Sequence, residues 1–459
     1  MKNKTIEIFE KAPIPKAVFF NIGPAIISML MVLVYNLADT YFIGQTKNAL
    51  MVAAVSQATP AFLVFMAIGM LFGIGGTSLI SRLLGQGRKT DAKHASSFCF
   101  WTGIAVGVIG MAAILLFKGP VSWLVGATTS TFAYVEEYLV IVSFGIPFLI
   151  LSNMFSHILR AEGHANKAMT GMILGNLTNI ILDPIMILGL GWNVAGAAAA
   201  TVIGNVVSAI FYLSHFVGGK SELSIHPKDY RARNRIATGV LAIGIPASLN
   251  SLLMSVSNVV INNLMKTHGD MAVAGLGVAM KVNMVAVMLL IGVGTGIQPL
   301  LGYNYGARNK KRYMGILKFS VGFAIALSTV MTIICYLGAG PMVKAFLDEP
   351  NAYDYGMSFA RTLIISGPIL GILFVFINAI QSLGAAVPSL ILSVSRQGLL
   401  YVPIVLTIHH VVGTAEMLVM AQPITDYVAA TLSVVLFVFA LKKYFNYMGE
   451  NAKIEEEGH

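Results

Sequence analysis

Long apolar stretches separated by short polar loops recur along the whole chain. Each stretch holds about 20 residues or more, which is enough to cross a bilayer as an α-helix rising about 1.5 Å per residue. The pattern predicts twelve spans, at 17–43, 51–75, 95–117, 133–159, 167–190, 194–217, 236–265, 271–298, 314–338, 355–382, 387–411 and 417–441. We therefore predict an all-α polytopic membrane protein.

The composition supports this class and excludes soluble ones. Of 459 residues, 56% are hydrophobic and only 11% are charged, whereas soluble domains carry about 25% charged residues. The two cysteines, Cys99 and Cys335, lie inside apolar stretches, which argues against a disulfide framework and against a zinc site.

The basic residues alternate from loop to loop. Of the 30 Lys and Arg residues, 23 fall in one alternate set of loops and the termini, five fall in the other set, and Lys281 and Arg396 lie within spans. The positive-inside rule then predicts that both termini are cytoplasmic and that the number of spans is even. This topology accounts for most of the net charge of +10 without a nucleic-acid partner.

The two halves of the sequence resemble each other. Pro24 and Asn36 in the first span have the same 12-residue spacing as Pro246 and Asn258 in the seventh, and a 16-residue Pro-to-Gly spacing recurs in the fourth and tenth. Shared helix-kink and turn chemistry is the alternative explanation. A parallel repeat of six spans is typical of transporters whose two lobes rock around a central site.

The repeat predicts the domain organisation. We expect an N-lobe at 1–217, a cytoplasmic linker at 218–235, a C-lobe at 236–445 and a cytoplasmic tail at 446–459.

Polar side chains within the N-lobe spans form a candidate ion site. A charge deep in lipid costs at least about 2.5–3.5 kcal/mol, so each needs a reason. Asp39, Asp183 and Thr201 are predicted at one level, roughly 9–14 Å from the outer face. Asn179 precedes Asp183 by four residues and shares its helix face, with Asn176 near by. These oxygens suit a hard monovalent cation or a shared proton; the alternative is that they only brace helices by hydrogen bonding.

Four sequence segments then resemble a known family. They are 35–44 (YNLADTYFIG), 159–163 (LRAEG), 196–201 (GAAAAT) and 395–398 (SRQG). In this order and spacing they resemble the multidrug and toxic compound extrusion (MATE) family, especially its MepA/DinF-type bacterial branch. The resemblance implies a twelve-helix antiporter in the bacterial plasma membrane that exports organic compounds in exchange for Na+ or H+.

The resemblance also assigns roles to individual residues. The family's N-lobe ion ligands match Asp39, Asn179, Asp183 and Thr201, which would bind Na+ if the coupling ion is not H+. Further candidates for substrate contact, or for supporting the ion ligands, are Tyr35, Asn36, Asn153 and Asn176. Coupling through acidic residues in helices seven and ten does not fit, because 246–265 and 362–382 contain no Asp or Glu.

The C-lobe carries a second polar group, for which we predict a buried network. Its members are Asn258, Lys281, Arg396 and Asp426. An Arg396–Asp426 pair would lower the cost of burying both charges.

We therefore expect an antiporter for organic, cationic or amphipathic drugs that acts as a monomer. Two alternatives stay open. A flippase for lipid-linked precursors would need a cationic cavity, for which Lys281 and Arg396 are available. An intramembrane aspartyl protease would need a Gly-x-Gly-Asp motif, which the sequence lacks. Without a Gly-x-x-x-x-Gly-Lys-Ser/Thr motif we expect no ATP dependence, no enzymatic activity and no cofactor beyond the coupling ion.

Overall fold

The computed structural model describes residues 4–46, 48–219, 221–233, 235–347 and 349–456. Within these ranges the chain is helical, with turns and short loops and no strand. Eleven helices are long and apolar enough to cross a membrane, and a bent pair of helices brings the number to twelve. The predicted fold class is confirmed.

The twelve spans are numbered here in chain order. They are α1 (Ile14–Gly44), α2 (Ala49–Gly85), α3 (Lys89–Leu116), α4 (Phe132–Ala161), α5 (Ala165–Asp183, extended by a π-helical turn at Pro184–Gly189), α6 (Asn193–Val217), α7 (Ile236–Met265), α8 (Asp270–Gly306), α9 (Lys310–Lys344), α10 (Pro350–Ile364 and Gly367–Ser382), α11 (Ala386–Val394, a π-helical turn at Ser395–Leu400, and Tyr401–Val411) and α12 (Ala415–Glu456). Short helices at Lys4–Glu10 and Lys118–Leu124 precede α1 and α4.

The tenth span is broken rather than continuous. Its two segments, Pro350–Ile364 and Gly367–Ser382, meet at an angle of 50°. Pro368 stands at the start of the second segment, where the amide N–H it lacks would have no partner within the helix. The sequence predicted one span here at 355–382.

The chain groups into two compact units. The first unit contains Ile27–Ser248, and the second contains Ile8–Ile26 together with the chain from Leu249 onward. The division therefore runs inside α1 and α7, and not at the linker 218–235.

Glycines in both units explain this division. In the first unit, a Cβ on Gly75 of α2 would lie 2.2 Å from the carbonyl oxygen of Val240, at the start of α7. In the second unit, a Cβ on Gly292 of α8 would lie 2.8 Å from the Cα of Ile26, at the edge of that unit in α1. Only glycine permits such close backbone contact. The first part of α7 therefore packs with the first unit, which contains Gly75, and the first part of α1 packs with the second unit, which contains Gly292.

The linker is bound along α3 of the first unit. Trp101 donates its indole N–H to the carbonyl oxygen of Ile225 at 3.1 Å, and the Ser97 hydroxyl donates to that of His226 at 2.9 Å. The Nδ1 atom of His94 lies 2.8 Å from the carbonyl oxygen of Asp229. These contacts hold the linker to the first unit.

Candidate functional site

Close packing of α5 against α6 builds the floor of the candidate site. A Cβ on Gly175 would lie 1.9 Å from the Ser208 hydroxyl, and one on Gly204 would lie 2.7 Å from the Gly175 carbonyl oxygen. Small residues let the two backbones approach. One turn further along α5, the Asn179 side-chain amide consequently reaches α6 and donates to the Thr201 hydroxyl at 3.3 Å.

Three buried oxygen atoms at this point have no hydrogen-bond partner among the described residues. They are both carboxylate oxygens of Asp183 and the Oδ1 atom of Asn179. Asp183 is 0% exposed and Asn179 is 3% exposed. Asp183 ends the α-helical part of α5, and the π-helical turn begins at Pro184; such turns are frequent at functional sites. Burying unpaired oxygens is costly, and a bound cation or proton would offset that cost.

Two tyrosines and a second carboxyl group complete the cluster. Asp39 of α1 is partly exposed and interacts electrostatically with Asp183. Tyr35 lies one turn earlier, within electrostatic range of both carboxyl groups, and its side chain contacts Thr201. Tyr138 of α4 lies within the same range. The structure thus brings together all four residues predicted to bind the ion.

A cavity of about 110 Å³, partly open to the surroundings, adjoins this cluster within the first unit. Phe62, Met66 and Met172 give it an apolar side. The polar side is formed chiefly by Tyr35, Asn153, Asn176, Asn179, Thr201 and Asn205. The cluster therefore shares three residues with the cavity lining, namely Tyr35, Asn179 and Thr201.

The candidates for substrate contact are placed differently from one another. Tyr35, Asn153 and Asn176 line the cavity, and the Asn176 amide nitrogen is buried without a partner. Asn36 is exposed and is not part of the lining, so its contact with a substrate stays a prediction. Adjacent positions on a helix point about 100° apart, so Asn36 cannot share the direction of Tyr35.

Sequence reasoning missed several residues of this site. Tyr138, Asn205, Ser208 and Tyr212 were not among the predicted residues. The Ser152 hydroxyl contacts the side-chain oxygen of Asn205 at 3.1 Å. The positions 201, 205 and 208 follow the i, i+4, i+7 spacing of one helix face, and this signal could have identified two of them.

In the second unit, Arg396 and Asp426 form a buried ion pair. The Arg396 Nε and Nη2 atoms donate to Asp426 Oδ1 at 3.2 and 3.0 Å. Gln422 donates to the same oxygen at 3.0 Å, and the Ser366 hydroxyl donates to Oδ2 at 3.0 Å. The guanidinium also lies over the Phe374 ring, 5.4 Å from its centre. Both charges are thereby neutralised and hydrogen-bonded.

The other two predicted members do not belong to this network. Asn258 is exposed, and its neighbour Ser257 faces inward instead, donating to the carbonyl oxygen of Gln397. Lys281 is partly exposed, with its ammonium 5.3 Å from the centre of the Phe346 ring. A one-residue error in helical rotation explains the first correction, and the length of the lysine side chain explains the second.

Comparisons with known proteins agree on the family. The MatE family model matches residues 24–185 and again 246–407, which confirms the internal repeat. The chain is 31% identical over 418 residues to the multidrug export protein MepA of Staphylococcus aureus (strain NCTC 8325 / PS 47), covering 90% of this chain and 91% of that protein.

A solved structure of MATE in complex with MaL6 has a TM-score of 0.91 at 25% identity and covers 98% of this chain and 100% of its own. A transporter of the MOP superfamily from Pyrococcus furiosus has a TM-score of 0.90 at 25% identity, covering 97% of this chain and 98% of its own; the reverse polarity of its binding pocket suggests a different function for that protein. Since the family model matches both halves and a relative above 30% identity spans nine tenths of the sequence, this chain belongs to the MATE family of membrane transporters.

Proposed function

We propose that the protein is a cation-coupled antiporter that exports organic compounds across the bacterial plasma membrane. The observation that carries this proposal is the set of buried, unpartnered oxygens of Asp183 and Asn179 beside Asp39. A purely structural carboxylate at 0% exposure would be expected to have hydrogen-bond donors. A carboxylate that exchanges a proton or Na+ during transport needs its oxygens available.

Coupling between ion binding and substrate binding follows from residues that the cluster around Asp183 shares with the cavity. Tyr35, Asn179 and Thr201 belong to both. An ion that engages Asp183 and Asn179 draws these side chains toward itself and away from a substrate in the cavity. A substrate in contact with them opposes ion binding in return, since linkage between two sites is reciprocal. Mutual antagonism of this kind is what exchange requires.

The cavity chemistry favours organic cations and neutral amphipathic compounds. Its described lining contains amides, hydroxyls, aromatic rings and methionines but no Lys or Arg. Methionine adapts to varied ligand shapes, and Asp39 and Asp183 supply negative charge next to it. A phosphate-bearing lipid precursor would need cationic partners here, and Arg396 is already neutralised by Asp426. This argues against the flippase alternative.

Efflux from proteoliposomes tests the proposal and distinguishes Na+ from H+. We expect a fluorescent organic cation such as ethidium to move against its gradient when an inward Na+ or H+ gradient is imposed separately. Collapsing the effective gradient with an ionophore should stop this movement, and protein-free liposomes give the background. Movement of a lipid-linked sugar analogue without any gradient-driven movement of ethidium would contradict the proposal.

The orientation in the membrane is a separate proposal, with both termini in the cytoplasm. It predicts that Lys89 lies inside and Lys118 outside. The alternation of basic loops also predicts Lys47 on the outer side, but Lys47 is not among the residues that the structure describes. Lys89 and Lys118 form a matched pair for cysteine substitution, because their side chains are 60% and 52% exposed and each is bridged to a glutamate. The native cysteines are free and buried, so they give little background.

In intact cells, an impermeant thiol reagent should label Lys118→Cys but not Lys89→Cys. Both positions should react after permeabilisation, which controls for accessibility. The opposite labelling pattern would reverse the orientation.

A further inference from the structure

Three side chains with metal-binding atoms converge where α4, α5 and α6 meet the linker. Glu162 and His164 flank Gly163 in the turn between α4 and α5, and His215 lies in the last turn of α6. One ligand atom from each lies within 4.8 Å of the other two. Gly163 has φ +89°, a conformation that favours glycine, and this turn directs the residues on either side of it to one place.

One imidazole nitrogen on each histidine of this cluster lacks a hydrogen-bond partner among the described residues. The Nε2 atoms of His164 and His215 are both buried without a hydrogen bond among the described residues. His215 Nε2 lies 3.7 Å from Glu162 Oε2, with the two side chains 4% and 0% exposed, and the two imidazole rings are 4.8 Å apart. Unpaired buried nitrogens are costly, and here that of His215 lies near a buried carboxylate.

The separations between the three ligand atoms can be compared with those of a zinc site. Zn²⁺ binds His nitrogen and carboxylate oxygen at about 2.0–2.2 Å, which places neighbouring ligand atoms about 3.3 Å apart. The cluster needs a contraction of about 1–1.5 Å from its widest separation to reach this arrangement. His164 is only partly buried, so its ring has room to rotate.

The linker orients the carboxylate in a way that metal sites commonly use. The Ser221 hydroxyl contacts Glu162 Oε1 at 2.8 Å and Oε2 at 2.9 Å, and the Glu222 backbone N–H donates to Oε1. Hydrogen bonds to a ligating carboxylate fix its direction and strengthen metal binding. An ion bound to Glu162 would therefore also fasten the linker at Ser221.

Lys167 is the feature that competes with a metal. Its ammonium lies 2.7 Å from His215 Nδ1 and donates to that nitrogen, which leaves the ring proton on Nε2. A metal at Nε2 requires the proton to move to Nδ1, where it would face the Lys167 ammonium. Metal binding must therefore displace Lys167 from His215.

We propose that Glu162, His164 and His215 form a binding site for a divalent transition-metal ion of the Zn²⁺ type, which competes with Lys167 and fixes the linker to the end of the first unit. The sequence argued against zinc through its two cysteines, and this site uses neither. The proposal is independent of the transport function, because its test does not measure transport.

Zn²⁺ binding to the full-length purified protein, prepared without a histidine tag, tests the proposal. We expect one Zn²⁺ per chain in chelator competition, and Co²⁺ should give the visible absorption of a tetrahedral site. His164→Ala and Glu162→Gln should each weaken binding by ~100-fold or more, since changes in supporting residues alone cost about 10–100-fold. Lys167→Met should strengthen it, because the competing ammonium is gone.

His94→Ala is the matched control. It removes a histidine contact to the linker at Asp229 but no ligand, so Zn²⁺ affinity should be unchanged. Zn²⁺ should also slow tryptic cleavage of the linker in the wild type and not in His164→Ala. Two results would overturn the site: absence of stoichiometric Zn²⁺, or equal affinity in wild type and in a His164→Ala variant with an unchanged melting temperature.

Discussion

Asp39→Asn and Asp183→Asn should each abolish gradient-driven drug export while leaving the protein folded. Asparagine matches aspartate in shape but cannot take up a proton or neutralise a cation. Asp183 has two buried, unpartnered oxygens, and its carboxyl group interacts with that of Asp39. Losing either charge should remove the free energy by which the ion opposes the substrate. Ethidium efflux in proteoliposomes should fall to the level of protein-free liposomes.

Controls on the same helices separate this effect from general damage. Thr40→Ala changes an exposed residue next to Asp39 and should leave efflux unchanged. Thr201→Ala removes a neutral oxygen next to Asn179 and should reduce coupling only partly. Both aspartate variants should still bind drug, and that binding should no longer respond to the coupling ion. Wild-type gradient-driven efflux from Asp39→Asn would show that Asp39 is not a coupling residue.

Arg396→Ala should be the most destabilising single change in the second unit, by about 3–5 kcal/mol. It leaves the Asp426 carboxylate buried at 1% exposure, with Gln422 and Ser366 as its remaining hydrogen-bond donors among the described residues. The double variant Arg396→Met with Asp426→Leu removes both charges and should recover much of that loss, because paired apolar residues carry no desolvation cost. Melting temperature in detergent and membrane expression level measure both effects.

Lys281→Met is the comparison variant, because it removes a charge that does not belong to the buried ion pair. Lys281 is partly exposed against Phe346, so its replacement should change stability by about 1 kcal/mol or less. If the effects of the Arg396 and Asp426 changes simply added, the pair would contribute no coupling energy, and the ion pair would not explain the retention of either charge.

The sequence by itself determined the features that depend on the bilayer and on local spacing. Hydrocarbon admits only backbone that satisfies its own hydrogen bonds, so twelve apolar stretches had to become twelve helical spans. The matched spacing of Pro24 with Pro246 revealed the repeat, because proline constrains the helix wherever it stands. Asn179 and Asp183 could be placed on one helix face because i, i+4 geometry is local. Their proximity to Asp39 could be predicted from depth and from the family resemblance.

Only the tertiary structure decided how the helices are rotated and how closely they approach. Hydropathy marks a span as apolar but sets no rotation, and this is why Asn258 was predicted to join a buried network and is in fact exposed. Close backbone approach at Gly75 and Gly292 divides the chain inside α1 and α7, a boundary that no loop composition indicates. His215 joins Glu162 across more than fifty residues, because contacts between helix ends depend on the packing of whole helices and not on local sequence.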